Sequence, residues 1–237
     1  MEVHHHSHTP RKSWTHYFWE FLMLFLAVFC GFLAEYQLEH KIERERGHQY
    51  ILSFYEDLKT DTSKFATLIN SYQEKLSALE DRKECFKEIR QNIKSNSCLA
   101  NLFINSISFS DLIFTDRTIQ QLKNAGGLRL LKKEDADSIM VYDNMLQTHI
   151  RIETTGFQNL QNKIRDAIVS LSSYSSYLEA DVNASVLYEP DLKKINNYFV
   201  LLEGYAIFSK GIMESIMQIR RRAIGLLEYF KKKYHLQ

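Results

Sequence analysis

The alternation of apolar and polar positions divides the chain into one continuous apolar stretch and a long amphipathic remainder. The apolar stretch is Trp14–Gln37, with a strictly uncharged centre at Phe21–Ala34. This centre forms only about 21 Å of helix, but Tyr17–Leu38 reaches about 33 Å and matches a hydrocarbon core of roughly 30 Å. Aromatic rings at both ends favour the headgroup level of a bilayer. The pattern therefore predicts one transmembrane helix at residues 14–38.

Two alternatives to a span are an interfacial or core helix, which suits the short uncharged centre, and a cleaved signal peptide. The signal peptide is disfavoured because no small-x-small cleavage site follows. Arg11 and Lys12 precede the span and Lys41, Arg44 and Arg46 follow it, so the positive charges are nearly balanced. The short amino-terminal tail favours a cytoplasmic N-terminus.

One helical face of the predicted span combines a carboxylate with small residues. This span face consists of Glu20, Leu24, Ala27, Gly31 and Ala34. The spacing of Ala27 and Gly31 lets two helix backbones approach closely in lipid. An acidic group at this depth is costly unless it is paired, so Glu20 is expected to bond across a helix–helix contact or to carry protons in a larger assembly. Alternatively, Glu20 reaches the interface or pairs with His16 one turn earlier.

After the span, apolar residues recur in steps of four and three, which is typical of long helices packed at shallow angles. The seams predict three long helices, at Glu39 to about Lys94, Lys133 to about Ala180 and Pro190 to Tyr234. Residues 42–50 lack a clear seam, and residues 39–50 are interpreted as a stalk. Pro190 is expected at a first helical position, where its missing N–H is tolerated.

Shorter elements are predicted between the first two long helices. Residues 95–110 indicate a loop or short helix, and Asp116–Asn124 a brief helix with Thr115 as its N-cap. Gly126 and Gly127 end this helix, because a left-handed position after a helix suits glycine.

Together these patterns predict an all-α protein. A His-rich tail (1–13) precedes a single N-terminal transmembrane helix (14–38), which continues into an antiparallel bundle of three long helices with a short extra helix (39–237). If successive helices alternate in direction, the basic C-terminus lies far from the anchor.

Composition excludes several classes of partner and of fold. The 237 residues carry a formal net charge of +1, which argues against a nucleic-acid partner. Only 8 glycines and 2 prolines disfavour a turn-rich β-fold, and 3 cysteines are too few for a disulfide scaffold. Cys30 is expected to pack in the span. Cys85 and Cys98 flank a helix end, where they form one disulfide in an oxidising compartment or else remain buried thiols.

The N-terminal tail offers a candidate metal site. His4, His5, His6 and His8 can ligate zinc, copper or nickel through neutral imidazole. A flexible tail lacks fixed geometry, so the expected affinity for a divalent metal is weak unless several tails converge. An expression-tag remnant is the alternative interpretation, although the histidine run is broken. No other cofactor is predicted.

Other signals have plain structural interpretations. A basic patch near the C-terminus complements the helix dipole or binds anionic lipid or an acidic partner, and it comprises Arg220, Arg221, Arg222, Lys231, Lys232 and Lys233. His149 is interpreted as a packed histidine with no carboxylate or cysteine at metal spacing. Gly126–Gly127 lacks the strand and the GKS/T of a phosphate-binding loop. No catalytic triad or di-metal motif is recognised, so an enzyme is not predicted.

The opening residues MEVHHHSH, followed by YFWEFLMLFLAVFCGFLAE, resemble those of uncharacterised single-span membrane proteins of Bacteroidota. The later runs ERERGHQYILSFYEDLKTD and LKNAGGLRLL are similar to the same group, although Ser7 stands where a proline is expected. The resemblance implies a single-span architecture in a Gram-negative envelope, and it implies no particular activity.

Anchor and bundle together predict a non-enzymatic membrane-anchored scaffold or assembly subunit of an envelope complex. It oligomerises through its span and stalk, as a homo-oligomer or as part of a larger membrane complex. The expected location is the inner membrane, with the N-terminus cytoplasmic and the bundle periplasmic. The alternative is an envelope sensor that binds a metal or small ligand and signals through a partner protein.

Overall fold

The computed structural model describes residues 14–94, 96–107, 112–173 and 187–236. The chain divides into two compact units, Met1–Gln49 (unit 1) and Tyr50–Gln237 (unit 2). The all-α prediction is confirmed, since the described residues form helices and one isolated bridge between Ser172 and Leu187. The α-helices are α1 Trp14–Ala78, α2 Arg82–Gln91, α3 Cys98–Ile107, α4 Arg117–Asn124, α5 Lys133–Ile152, α6 Gln158–Leu171 and α7 Leu192–Tyr234. A 3₁₀ turn at Gly127–Leu130 precedes α5, and a π-helical turn at Glu153–Phe157 joins α5 to α6.

Unit 1 contains the N-terminal part of α1, and its apolar surface is open. No residue from Trp14 to Leu38 is buried, and Leu24, for example, exposes 69% of its surface. Among the described residues this is the one helix long and apolar enough to cross a membrane. A contiguous apolar surface of this size is stable in lipid or against protein but not in water. Residues 14–38 are therefore a candidate membrane span.

The first long helix of unit 2 is interrupted after Ala78, so the prediction of one helix reaching Lys94 is wrong. The Arg82 guanidinium donates to the Leu79 carbonyl (2.9 Å) and to both carboxylate oxygens of Glu203 on α7 (2.7 and 3.1 Å). A contact across the bundle thus holds the break at residues 79–81, where neither glycine nor proline marks it in the sequence.

The second long helix ends at Leu171 rather than near Ala180. Its end is held by the Tyr188 N–H, which donates to the Leu171 carbonyl (2.9 Å). The stretch 174–186 lies outside the described residues.

The last long helix begins two residues later than predicted. Asp191 is its N-cap and accepts from the backbone N–H groups of Lys193 (2.8 Å) and Lys194 (3.2 Å). Pro190 therefore precedes the cap instead of occupying the first helical position, because a carboxylate satisfies two otherwise unpaired donors there.

Between α2 and α5 the described residues form two short helices, where the sequence predicted one and left the other stretch open. α3 lies within the stretch left open as loop or helix, and α4 begins at Arg117 with Asp116 as its N-cap. Thr115 is not the cap; its N–H donates to Asp61 instead (2.8 Å). Gly126 adopts the left-handed conformation (φ 65°) that the sequence predicts.

Ring contacts along α7 establish the helix directions. Phe54 lies 5.9 Å from Phe230 and Phe86 lies 4.9 Å from Phe199, so α1 and α2 run antiparallel to α7. The α5–α6 stretch is also antiparallel to α7, because Asp135 meets Lys233 near one end and Phe157 meets Tyr205 further along. Consequently α1–α2 and α5–α6 run in the same direction, and the simple up–down–up order is wrong.

The end of unit 2 where Tyr50 enters it is here called the base. The base contains Tyr50–Phe54, Gly127–Asp135 and Tyr229–Tyr234. Its packing is close: a Cβ added at Gly127 would lie 3.1 Å from the Tyr50 ring. The basic end of α7 therefore lies at the base, beside the first residues of unit 2, and the expectation that it lies at the opposite end of the bundle is wrong.

Two buried carboxylates on α1 hold the returning chain near the base. Asp57 and Asp61, one helical turn apart, expose 2% and 1% of their surface. Asp57 accepts from the Arg117 guanidinium (2.9 Å) and the Thr118 hydroxyl, and Asp61 accepts from the Thr115 N–H. Burial raises the pKa of Asp61 although these donors oppose the shift. Such charges are stable in an interior only with donors of this kind.

A third buried carboxylate joins the start of α5 to the end of α7. Asp135 accepts from Lys233 (2.6 Å), Tyr234 (2.6 Å) and Tyr229 (2.7 Å). Burial alone would raise the pKa of Asp135, but the hydrogen bonds from Lys233 and the two tyrosines outweigh it and hold this pKa below its usual value. Burial lowers the pKa of Lys233, but the bonds to Asp135 and Tyr229 outweigh it and raise this pKa. Burial, together with the bond to Asp135, raises the pKa of Tyr234 to about 12.

Asp135→Asn is expected to lower the free energy of unfolding at pH 7 by about 3 kcal/mol, because it removes the buried anionic partner of Lys233 and leaves only the exposed Glu134 carboxylate beside the ammonium group. The depressed pKa means that ionised Asp135 stabilises the fold above about pH 4, and this stability is lost as the pH falls through the folded pKa. The variant should therefore lose less stability between pH 7 and pH 3. Chemical denaturation of the full chain in detergent, followed by circular dichroism, measures both effects.

The matched control for that experiment is Glu134→Gln, since Glu134 is the exposed neighbour of Asp135. It should change the unfolding free energy little. Parallel pH profiles for wild type and Asp135→Asn would contradict the role given to Asp135.

Candidate functional site

The span face remains open in unit 1. Every one of its residues is exposed, and a Cβ added at Gly31 would meet no atom within 4 Å. The Glu20 carboxylate lies 3.6 Å from Nδ1 of His16, one turn earlier, so the pairing offered as an alternative is present. This pair leaves the small residues Ala27 and Gly31 free to receive a second helix.

Three other predicted sites have different outcomes. The histidines of the tail, His4, His5, His6 and His8, lie outside the described residues. Within the part of the chain that the structure describes, no group of three or more His, Cys, Asp or Glu side chains is placed to hold a metal ion. Cys85 and Cys98 form a disulfide that joins the start of α2 to the start of α3, and Cys30 is an exposed free thiol.

The predicted basic patch is not one surface. Arg220 donates to the Thr62 carbonyl (3.2 Å), Arg222 donates to the Ser138 carbonyl (3.4 Å), and Lys233 binds Asp135. Helical rotation turns these three inward, while Arg221, Lys231 and Lys232 stay exposed. The prediction of a six-residue patch is therefore wrong, because half of its cations make intramolecular bonds.

The strongest chemical arrangement in unit 2 surrounds His149 near the end of α5. The helix widens to a π-helical turn at Glu153–Phe157, just after His149. In this region the Thr154 and Thr155 hydroxyls donate back to carbonyls of the preceding turn, and Gly156 lies directly against the Phe208 ring, where a Cβ would come within 3.0 Å. Such turns often occur at functional sites because they shift side chains out of the regular helical register.

His149 joins α5 to α7 through polar contacts. Its ring exposes 1% of its surface, and Nδ1 lies 2.9 Å from the Ser215 hydroxyl on α7. Nε2 lies 3.8 Å from the Glu153 carboxylate and makes no hydrogen bond within the described residues. A neutral imidazole donates from one nitrogen only, and the nearby carboxylate favours the proton on Nε2. We therefore infer that the Ser215 hydroxyl donates to Nδ1.

Burial lowers the pKa of His149 to about 4, so the ring is neutral at pH 7. Although serine, histidine and glutamate follow the order of a catalytic triad, general-base catalysis works best with a pKa near the operating pH. The arrangement at His149 is thus better suited to holding the Ser215 hydroxyl in place than to removing a proton at neutral pH.

Two open grooves meet at His149 and Ser215. One has a volume of about 380 Å³ and includes Asn144, Thr148 and Gln218 in its lining. The other, about 360 Å³, is mostly apolar and includes Ile152, Phe208 and Gly211. Small-ligand sites commonly combine such volumes with a few polar groups on an apolar wall. We call this pair of cavities the His149 groove.

Most of this site is unmarked in the sequence. The exception is Glu153, which stands four residues after His149, so the prediction that no carboxylate lies at metal spacing from His149 is wrong. Ser215 carries no such signal, since it meets His149 only through the packing register of α7 on α5. The π-helical turn is likewise unmarked by the apolar periodicity.

No protein-family model, curated protein or solved structure matches this chain.

His149→Leu is expected to reduce the loss of stability on mild acidification. In the wild type the folded pKa of about 4 lies below the unfolded value of 6.5, so neutral His149 favours the fold and the fold loses stability as the pH falls below 6.5. This linkage is worth about 2 kcal/mol between pH 7 and pH 5. Unfolding free energies at the two pH values measure it.

The exposed histidine variant His235→Gln is the control for that measurement and should keep the wild-type pH dependence. If NMR instead shows the His149 ring titrating near pH 6.5, its burial as a neutral group is refuted.

Proposed function

We propose that this protein is a non-enzymatic, membrane-anchored interaction subunit that oligomerises through its span and stalk. The observation that carries the proposal is the uncovered apolar surface of α1 in unit 1, on which one face presents Glu20, Ala27 and Gly31. Lipid can solvate the apolar side chains of this surface. A second helix is the better neighbour for the span face, because the small residues allow close backbone contact and the carboxylate needs a polar partner.

The Cys85–Cys98 disulfide supports a location for unit 2. Disulfides persist in oxidising compartments such as the bacterial periplasm and are rare in the cytosol. This favours a periplasmic unit 2 and, across a single span, a cytoplasmic N-terminus in the inner membrane of a Gram-negative cell. The resemblance to single-span proteins of Bacteroidota is consistent with this placement.

Cysteine cross-linking in native membranes tests self-association. In a Cys30→Ser background, Ala27→Cys places a thiol on the span face and Phe29→Cys places one on the opposite face of the same helix. Oxidation should give a dimer with Ala27→Cys and little or none with Phe29→Cys. Adding Glu20→Ala should weaken the dimer, because the polar contact across the helices is lost.

The cross-linking result has clear contrary outcomes. Only monomers with both thiols, or equal dimer yields on the two faces, would refute oligomerisation through the span face. A Glu20→Ala variant indistinguishable from its parent would remove Glu20 from the contact.

A second candidate function is a ligand-responsive sensor, which the His149 groove specifically favours. The groove places a neutral buried imidazole and a half-buried hydroxyl beside an apolar wall. That combination suits a small uncharged amphipathic molecule, because it has one polar edge to satisfy and an apolar body to bury. A signal would then pass to a partner protein.

Binding of 5-fluoroindole to the full chain in nanodiscs, followed by fluorine NMR, tests the sensor candidate. Saturable binding is expected for the wild type and should be lost in Gly211→Leu, whose side chain fills the groove. Gly225→Leu is the matched control on the same helix, since Gly225 also has open space beside it and lies outside the groove. Identical, non-saturable partitioning for all three proteins would refute a binding site at His149.

A further inference from the structure

The base of unit 2 gathers exposed cations from two distant parts of the chain. The contacts of Asp135 with Lys233 and Tyr234 hold the start of α5 against the end of α7. The exposed cations that flank this junction are Arg129, Lys132, Lys133, Lys231 and Lys232. Sequence separation hides this grouping, which exists only because α5 starts where α7 ends.

Helix stability explains only part of this group. Lys231 and Lys232 lie in the last turn of α7, where cations complement the helix dipole. Lys132 and Lys133 lie at the N-cap and first residue of α5, where cations oppose the dipole. Placing them beside two further lysines adds like-charge repulsion. The α5 lysines therefore do not serve the local stability of their own helix.

Among the described residues of unit 2, the acidic groups near the end of the base do not neutralise it. Asp135 is fully buried and bound to Lys233, and the exposed Glu134 carboxylate lies 3.4 Å from the same ammonium group. Asp137 and Glu228 lie about one helical turn further from the end on α5 and α7. At the base, the ends of α5 and α7 thus expose mainly ammonium and guanidinium groups.

We propose that this basic end, here called the base surface, binds the surface of an anionic phospholipid bilayer. Leu38, the last residue of the candidate span, precedes Tyr50 by about 12 residues, so the chain itself limits their separation to about 40 Å. Tethering raises the effective concentration of headgroup phosphates at the base surface. Clustered lysines close to a span commonly bind anionic lipid in this way. The inference rests on the membrane anchoring proposed above.

Lysine-reactivity footprinting of the full chain in nanodiscs tests the proposal. With about 30 mol% phosphatidylglycerol, acylation of Lys132, Lys133, Lys231 and Lys232 should be roughly threefold slower or more than in phosphatidylcholine alone. About 0.5 M salt should remove the difference, because it screens exposed charges within a few ångströms. The exposed lysines Lys87 and Lys193, at the opposite end of unit 2, serve as internal references and should not change.

Variants separate lipid binding from nonspecific charge effects. Lys132→Gln with Lys133→Gln should speed labelling of Lys231 and Lys232 in anionic nanodiscs, while Lys193→Gln with Lys194→Gln should leave it unchanged. Equal labelling in the two lipids would overturn the proposal. Protection in native membranes but not in anionic nanodiscs would also overturn it, in favour of an acidic protein partner. Co-flotation with the nanodiscs reports anchoring separately, so failure of the anchor is distinguishable from failure of the base surface.

Discussion

The burial of Asp57 and Asp61 on α1 is the constraint on which the rest of unit 2 depends. A carboxylate in a protein interior is stable only when donors replace its lost water. The donors come from Thr115, Arg117 and Thr118, which lie more than fifty residues later in the chain. The connection must therefore return nearly to the level where α1 entered unit 2 before the second long helix begins.

That return explains why two of the long helices share a direction. A short loop after α2 would have produced an antiparallel neighbour. The chain instead forms α3 near the far end, comes back to Thr115, and only then begins α4 and α5. Both α1–α2 and α5–α6 then pack against α7, which runs opposite to each. The last helix is thus the common partner of the other two, and buried rings such as Tyr198, Tyr205 and Phe230 line it.

The same arrangement relates the proposed functions to the fold. It places the end of α7 at the base of unit 2, where Asp135 organises Lys233 and two tyrosines while other lysines stay exposed. It also leaves a groove between α5 and α7, where His149 and Ser215 meet beside a π-helical turn. Unit 1 presents a separate surface, the span face, whose apolar surroundings suit lipid and whose small residues suit a second helix.

Periodicity and composition by themselves determined much about this protein. The apolar stretch, the all-α class, the long seams and the turn at Gly126 follow from local rules: side-chain spacing on a helix, the few glycines and prolines, and the left-handed conformation that glycine permits. The predicted helix ends were less accurate. Arg82 and Asp191 determine two of the observed ends through side-chain hydrogen bonds, which the apolar periodicity does not reveal.

Only the tertiary structure decided the direction of the second long helix, the inward rotation of Arg220, Arg222 and Lys233, and the meeting of His149 with Ser215. Each of these three features depends on which groups, distant in sequence, form hydrogen bonds with a buried polar atom. A seam specifies that a helix has an apolar side, but it is compatible with either direction of packing and with several registers. The buried aspartates favour one arrangement, in which the returning chain brings Thr115, Arg117 and Thr118 to them.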